Sequence, residues 1–392
     1  MTEKLWTRNY VLLIIASAFS RCSFDILLPT LPLFLTANGT SGGQVGIVMG
    51  SFTFSAILVR FFVAEGSRRF GIKRLLYVGL AICALISLAY NLGTTFISAA
   101  SLRIIHGFGF GIATTLAATI AAGVIPVDRR GEGFGFLGFG GLLTAAIAPF
   151  VGLWLLDGFG SLTLFAFTAL TQLGCILCIS RVAVKQSTAD TPKVEGFRAL
   201  LTDIFEKPAL FPAFLAMLQG IGLSGVICFI ALFSQELSIA NVGWFFLAST
   251  TGTFISRLFS GRIFDYYGRS WVFIPGLLLC ITGLILIAQA TSLRHLIIAA
   301  LLFGAGGGAV FPSLQAWIMN RVAPSRHNQA NALFYNAFDI GIGGGSIILG
   351  FIVSATSYRV MYLTTAATLT AMLIIYLVSL VLGRRNQGQR SV

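Results

Sequence analysis

The sequence predicts an all-α membrane protein, with twelve transmembrane helices in two parallel-repeat six-helix bundles. Three observations predict it. Hydrophobic residues make up 56% of the chain and charged residues 10%, with a mean hydropathy of +0.90, far outside the range of soluble globular proteins. Apolar stretches recur from end to end at a length of about 20 residues, enough to cross a hydrocarbon core of roughly 30 Å. Polar and glycine landmarks of the first half return in the second half in one constant register.

Backbone polar groups in lipid must be satisfied within the segment, so the apolar stretches can only be helices. They fall at 10–35, 43–64, 75–94, 96–122, 133–156, 161–182, 209–235, 241–262, 271–290, 295–319, 330–354 and 358–382. The opening MTEKLWTRNYVLLIIASAFS has the positive start and small-residue ASA of a signal peptide. Its apolar run continues past Arg21 to Leu35, so it reads as an uncleaved first helix. All six cysteines lie inside spans; Cys175 and Cys178 form a CxxC with no second pair or His nearby and read as small packing residues.

The net charge of +13 is a matter of topology. Basic residues such as Lys4, Arg8, Arg68, Arg69, Lys73, Arg129 and Arg321 fall in the termini and in alternate loops, whereas ANGTSGG and DGFGSL carry almost none. This positive-inside bias predicts an integral protein of a bacterial cytoplasmic membrane with both termini cytoplasmic. The only partners expected are the lipid bilayer, protons and a small-molecule substrate, without nucleic acid, for a protein working as a monomer.

The polar stretch 183–208 divides the spans six and six. It is read as a cytoplasmic linker between an N-terminal bundle, 1–182, and a C-terminal bundle, 209–392, that ends in a short tail. Arg60 and Gly71 in RFFVAEGSRRFG fall opposite Arg257 and Gly268 in RLFSGRIFDYYG; GFGFG at 107–111 falls opposite GAGGG at 304–308; Pro126 and Arg129 lie close to the register of Pro324 and Arg326. Halves with six spans each must run parallel, an arrangement found among secondary transporters around a central site. The cluster GRIFDYYGRS at 261–270 is then the second copy of a short loop, with Gly268 for the tight turn and Arg257, Asp265 and Arg269 able to pair or to cap helix ends.

On these residues the chain resembles the major facilitator superfamily over its whole length. The loop signature of that family is roughly G-x-L-x-D-R-x-G-R-K with an Arg four residues ahead; Gly261, Asp265, Gly268 and Arg269 match it, with Arg257 upstream. The first copy keeps Arg60, Arg69, Gly71 and Lys73, but Ala64 replaces the first Gly and Arg68 stands where the Asp belongs. In the family that Asp helps to latch the outward-facing state, and Glu65 is the nearby acid that substitutes. RIIHGFGFG, with Arg103 and Gly107, resembles the R-x-x-Q-G-x-G of the twelve-helix drug and metabolite exporters, with His106 in place of Gln. GLLTAAIAPFVG is similar to their antiport signature through Pro149 and Gly152, with Ala148 before the Pro. The resemblance implies the major facilitator fold, alternating access, gating by the loop motif, and proton-coupled export.

A charge inside hydrocarbon costs at least about 2.5–3.5 kcal/mol, so each needs a reason. At 1.5 Å per residue, Asp25 lies roughly 15 Å and Arg103 roughly 10 Å from the outer ends of their helices, at comparable depth and with opposite sign. Arg21 stands one turn from Asp25, and Pro29 and Pro32 can bend the same helix around a cavity. Asp339 lies roughly 13 Å from the cytoplasmic end of its helix, beside Tyr335, Asn336 and a glycine run. Asp25, Arg103 and Asp339 are the candidates for proton coupling. Those three with Arg21, Gln219, Tyr335 and Asn336 are the candidates for substrate binding.

No P-loop, HExxH or acidic metal cluster occurs, so neither ATP, a metal, a cofactor nor a membrane enzyme is expected. The function expected is proton-coupled export of a small organic molecule. The alternatives are a dedicated exporter of a zwitterionic metabolite or metallophore, a flippase for a lipid-linked substrate, and an uncoupled facilitator.

Overall fold

A computed structural model of the protein describes residues 4–183, 207–323 and 326–388; most of the expected linker, 184–206, and Pro324 lie outside the described residues. The described chain is helical almost throughout. The helices are α1 (Arg8–Ala37), α2 (Gly42–Phe70), α3 (Ile72–Ala89) and α4 (Phe96–Val124), then the stretch Arg130–Ser180. Gly160, at φ 82°, breaks that stretch into α5 (130–159) and α6 (161–180). There follow α7 (Leu210–Glu236), α8 (Gly243–Tyr267), α9 (Ser270–Ala288), α10 (Leu293–Met319), α11 (His327–Ala355) and α12 (Tyr358–Gly388).

Short polar residues open these helices by satisfying free N–H groups. Thr7 accepts from Tyr10, Ser41 and Gln44 form a reciprocal capping box, Thr95 and Ser98 form a second, and Ser292 accepts from His295. Gly71 (φ 84°) and Gly268 (φ 87°) close α2 and α8 in the left-handed region, where a side chain would strain the turn.

Ten helical stretches among the described residues are long and apolar enough to cross a membrane. Counting α5 and α6 apart gives eleven, and α8 is the twelfth. It misses on apolarity because it carries Arg257, Arg262 and Asp265 among Ser and Thr, residues that face a cavity or an end of the protein rather than lipid.

The two six-helix bundles repeat each other contact by contact. In the first, α1 packs on α5, α2 on α4, and α3 on α4 and the α5–α6 stretch; in the second, α7 packs on α11, α8 on α10, and α9 on α10 and α12. Side chains built on Gly107 and Gly111 of α4 would strike the backbone at Phe52 and Ala56 of α2; built on Gly304 and Gly308 of α10, they would strike Ser249 and Thr253 of α8. Gly109 meets Gly79 as Gly306 meets Gly276, and the thiols of Cys83 and Cys280 reach the carbonyls of His106 (4.0 Å) and Phe303 (3.6 Å). Cys83 and Cys280 are buried in these contacts.

Three helix pairs join the bundles: α2 with α11, α5 with α8, and α1 with α7. At the end opposite the N-terminus they close. The Gly43 N–H donates to Ser354 Oγ (2.7 Å), Ser346 Oγ donates to the Gly46 carbonyl (3.2 Å), and Phe150 stacks edge-on against Trp244 at 5.4 Å. Any side chain at Gly46 would collide with the Ser346 carbonyl, and one at Gly50 would come within 2.6 Å of the Gly343 carbonyl. Glycine therefore sets the depth of the seal.

Replacing that glycine tests the seal. With spin labels on Asn38→Cys and Asn241→Cys in a cysteine-free chain, Gly46→Leu is expected to lengthen the label–label distance at the closed end. An unchanged distance distribution would show that α2 and α11 do not set the closure.

Candidate functional site

Between the bundles lies a cavity of about 1550 Å³, larger than a typical single-ligand pocket of roughly 300–1000 Å³. It reaches from mid-depth toward the N-terminal end: Leu13 of α1, Phe61 of α2, Ala121 of α4, Phe134 of α5, Asp265 of α8 and Ala332 of α11 all line it. The protein is thus open at the end bearing the N-terminus and closed at the other.

Asp25 sits at the cavity wall, 1% exposed. Both carboxylate oxygens accept from Arg21 Nε at 3.0 Å, and one accepts from Thr144 Oγ1 of α5 at 3.1 Å. Pro29, lacking an N–H, leaves the Asp25 carbonyl without its helical donor. Gly152 lets α5 lie close against Ile26 and Thr30 of α1, and Pro149 faces the cavity.

Arg103 is also 1% exposed. Its comparable depth suggested Asp25 as a partner, but the structure gives Asp25 to Arg21 and Thr144 and sets Arg103 among neutral groups. Nη1 donates to Tyr90 Oη (3.5 Å), Nη2 reaches Met49 Sδ (3.8 Å), and the guanidinium lies over the Phe52 ring at 4.3 Å from its centroid. Its Nε has no acceptor. Tyr90 Oη lies 2.8 Å from His106 Nδ1; as the tyrosine oxygen accepts from Arg103, its own proton is free to go to the imidazole. His106 is a packed, hydrogen-bonded histidine, as its isolation in the sequence suggested.

Asp339 of α11 pairs with Arg60 of α2, Oδ2 to Nη1 at 2.8 Å, across the bundle interface. Arg60 heads the first copy of the loop motif. It lies inside α2, which runs on to Phe70, and it faces the cavity because α2 extends past the membrane-length apolar run. The pair is partly hydrated, with side chains 27% and 25% exposed.

The loop-motif residues spread out. Glu65 holds Arg68 and Arg69, the latter at 2.6 Å. Arg269 stacks on Trp317 at 4.2 Å rather than pairing with Asp265. Gly261, Arg257 and Asp265 line the cavity, and no ion pair among the described residues includes Arg257 or Asp265. Tyr335 and Asn336 also line it, and Tyr335 Oη accepts from Gln315 Nε2 at 3.3 Å. Gln219 does not: it is buried inside the C-terminal bundle, 3.9 Å from the position of a Gly307 side chain, with its Oε1 unpartnered. The rotation of α7 turns Leu223, Val226 and Ile227 to the cavity instead.

Sequence reasoning missed Thr144, Tyr90, Met49 and the ring cluster of Phe24, Phe52 and Phe110, whose centroids lie 4.7 to 5.3 Å apart. The hydroxyls inside apolar helices were the available signal for Thr144 and Tyr90; nothing distinguished these three phenylalanines from the other thirty-two among the 35.

Comparison with known proteins gives one consistent picture. The profile of the Major Facilitator Superfamily matches residues 13–240 and again 213–391. Multidrug resistance protein MdtG of Escherichia coli is 26% identical over 385 residues, covering 92% of this chain and 91% of its own. Among solved structures, the nucleoside transporter NupG superposes with a TM-score of 0.79 at 16% identity over 95% of this chain and 99% of its own. A bacterial homologue of the human lysosomal transporter Spinster, inward-facing and unoccupied, gives 0.70 at 17% identity over 94% of each chain. At those identities the likeness shows the fold.

The Arg60–Asp339 pair yields a quantitative expectation. Arg60→Gln and Asp339→Asn should each lower stability by about 1–2 kcal/mol in thermal unfolding of the purified protein, with a coupling of at least about 0.5 kcal/mol in the double variant. Exchanging the charges, Arg60→Asp with Asp339→Arg, should recover most of the loss. Strictly additive costs would show that the two groups do not stabilise each other.

Proposed function

Because the chain belongs to the Major Facilitator Superfamily, we propose that it is a proton-coupled secondary active transporter that exports a small organic molecule by alternating access. The observation that carries this reading is the charged cavity between two bundles, open at one end and sealed at the other by glycine contacts. The chain is divided at the 183–208 linker into bundles 1–182 and 209–392, and it works as a monomer. The basic residues of the terminal-side loops orient the open end toward the cytoplasm by the positive-inside rule.

In this reading substrate enters from the cytoplasm and binds against Asp25, Arg103, Tyr335 and Asn336. The bundles then rock: α2 parts from α11 at the outer seal, and the inner ends close over the loop motif around Gly71 and Gly268. Outside, a proton loads Asp25 or Asp339 as the substrate leaves; inside, the returning arginine displaces the proton. Each carboxylate already has a cationic partner in the inward-open state, the state in which a coupling acid should be deprotonated. Export of an organic solute is supported by the name of the Escherichia coli relative, multidrug resistance protein MdtG.

Internal pH in proteoliposomes tests the proposal directly. Adding substrate to wild-type vesicles should move protons, and either Asp25→Asn or Asp339→Asn should lower that flux at least about tenfold. Substrate movement that continues unchanged in both variants, with no proton signal, would leave an uncoupled facilitator in which the ion pairs only fix helix packing.

A further inference from the structure

Building on the transporter reading above, we infer that the substrate is an organic anion with a flat apolar body, its oxyanion head bound by Arg103 and its body stacked on Phe24, Phe52 and Phe110.

The first ground is the balance of charge in the cavity. Arg21 is matched by Asp25 and Arg60 by Asp339. Arg257 and Asp265, about two turns apart on one helix, add one charge of each sign nearer the open end, so the cavity lining sums to one positive charge. Arg103 is the deeply buried cation with no acid beside it among the described residues. It is 1% exposed, and its polar neighbours are a phenol and a thioether. A buried ion held only by neutral groups is poorly compensated, and the missing charge is the one a counter-ion from the cavity would bring.

The second ground is a donor left unused. Arg103 lines the cavity, and its Nε–H has no acceptor. A guanidinium edge that includes Nε is the edge that carboxylates grip with two parallel hydrogen bonds. Tyr90 and Met49 each engage one terminal nitrogen, while the Nε–H is engaged by neither.

The third ground is the surface beside it. Phe24 stacks with Phe52 at 5.3 Å and 26° and with Phe110 at 4.7 Å and 25°, and all three line the cavity. Arg103 lies over Phe52, the member of that cluster it touches. A planar group laid along these rings extends an offset stack already present while its anionic end meets the guanidinium. A lipophilic cation fits worse. It would approach Arg103 unfavourably, and the deep carboxylate, Asp25, is already engaged by Arg21 and Thr144.

The test uses the full chain, purified in detergent, and three probes of one size: 2-naphthoate, 2-naphthamide and 2-naphthylmethylammonium. Titration calorimetry should show the acid binding about 10-fold or more tighter than the amide, with the ammonium weakest. Arg103→Lys should keep a reduced preference for the acid, and Arg103→Gln should bind acid and amide alike. Acid and amide binding alike to the wild type, the ammonium binding tightest, or no probe binding would each overturn the inference, and none of these needs a folded variant. So would a preference for the acid that survives Arg103→Gln. Flux of the same probes in proteoliposomes separates the two readings. Acid-selective binding with no transport of any probe removes the transporter reading alone, whereas transport without preference for the acid removes this inference alone.

Discussion

The two bundles meet most extensively where α2 packs on α11. Over the closed half the two helices approach backbone to backbone, Gly46 and Gly50 against Ser346 and Gly343, with the Ile347, Phe351 and Val353 side chains of α11 lying over glycines of α2. Such a contact is held by close van der Waals packing and by few polar groups. The polar atoms across it are few, the Gly43 N–H with Ser354 Oγ and Ser346 Oγ with the Gly46 carbonyl. Where the helices begin to diverge, the glycine contact gives way to the Arg60–Asp339 pair. Both partners are partly exposed, so the cost of breaking the pair stays well below that of separating a fully buried one.

The internal repeat holds where the helices are packed and lapses where the cavity is lined. Gly107, Gly109 and Gly111 have counterparts in Gly304, Gly306 and Gly308, each against the equivalent neighbour. In the same register Arg103 is answered by Ala300, His106 by Phe303, Asp25 by Gly222 and Phe52 by Ser249. The N-terminal wall thus carries the deep ion pair and the buried arginine, and the C-terminal wall answers with Tyr335, Asn336 and the rings of Phe311 and Phe338, 4.8 Å apart. Like scaffolds with unlike linings give a cavity whose two walls differ in chemistry.

The helices were legible because lipid leaves the backbone no alternative. The span expected at 161–182 begins at the residue after the Gly160 break, and 241–262 was recovered although α8 is too polar to qualify on hydropathy. Within the cavity, local relations were legible and distant ones were not. Arg21 lies one turn from Asp25, and helical spacing alone predicts the contact. Thr144, far along the chain from Asp25, and Arg60, in the opposite bundle from Asp339, meet their partners only after the bundles assemble. Gln219 shows the same limit in reverse. A polar residue in an apolar helix must find a polar or protected place, but the sequence does not say whether that place is the cavity or the bundle interior.

The two paired carboxylates differ in what a proton would do to them, and that difference bears on coupling. Arg21 belongs to the same helix as Asp25, and its side chain is 48% exposed, so neutralising Asp25 lets Arg21 turn into the open cavity with little effect on either bundle. Asp339 holds an arginine of the other bundle. Neutralising it removes an attraction between the two bundles, at the point where they diverge. A protonation event can drive rocking only through a difference in free energy between the two states, and the Arg60–Asp339 contact supplies that difference directly. Asp25 can supply it only through Thr144, which ties it to α5 of its own bundle. If protons drive this transporter, Asp339 is therefore the group whose charge bears on the conformational equilibrium, and Asp25 is the group whose charge bears on what the cavity accepts.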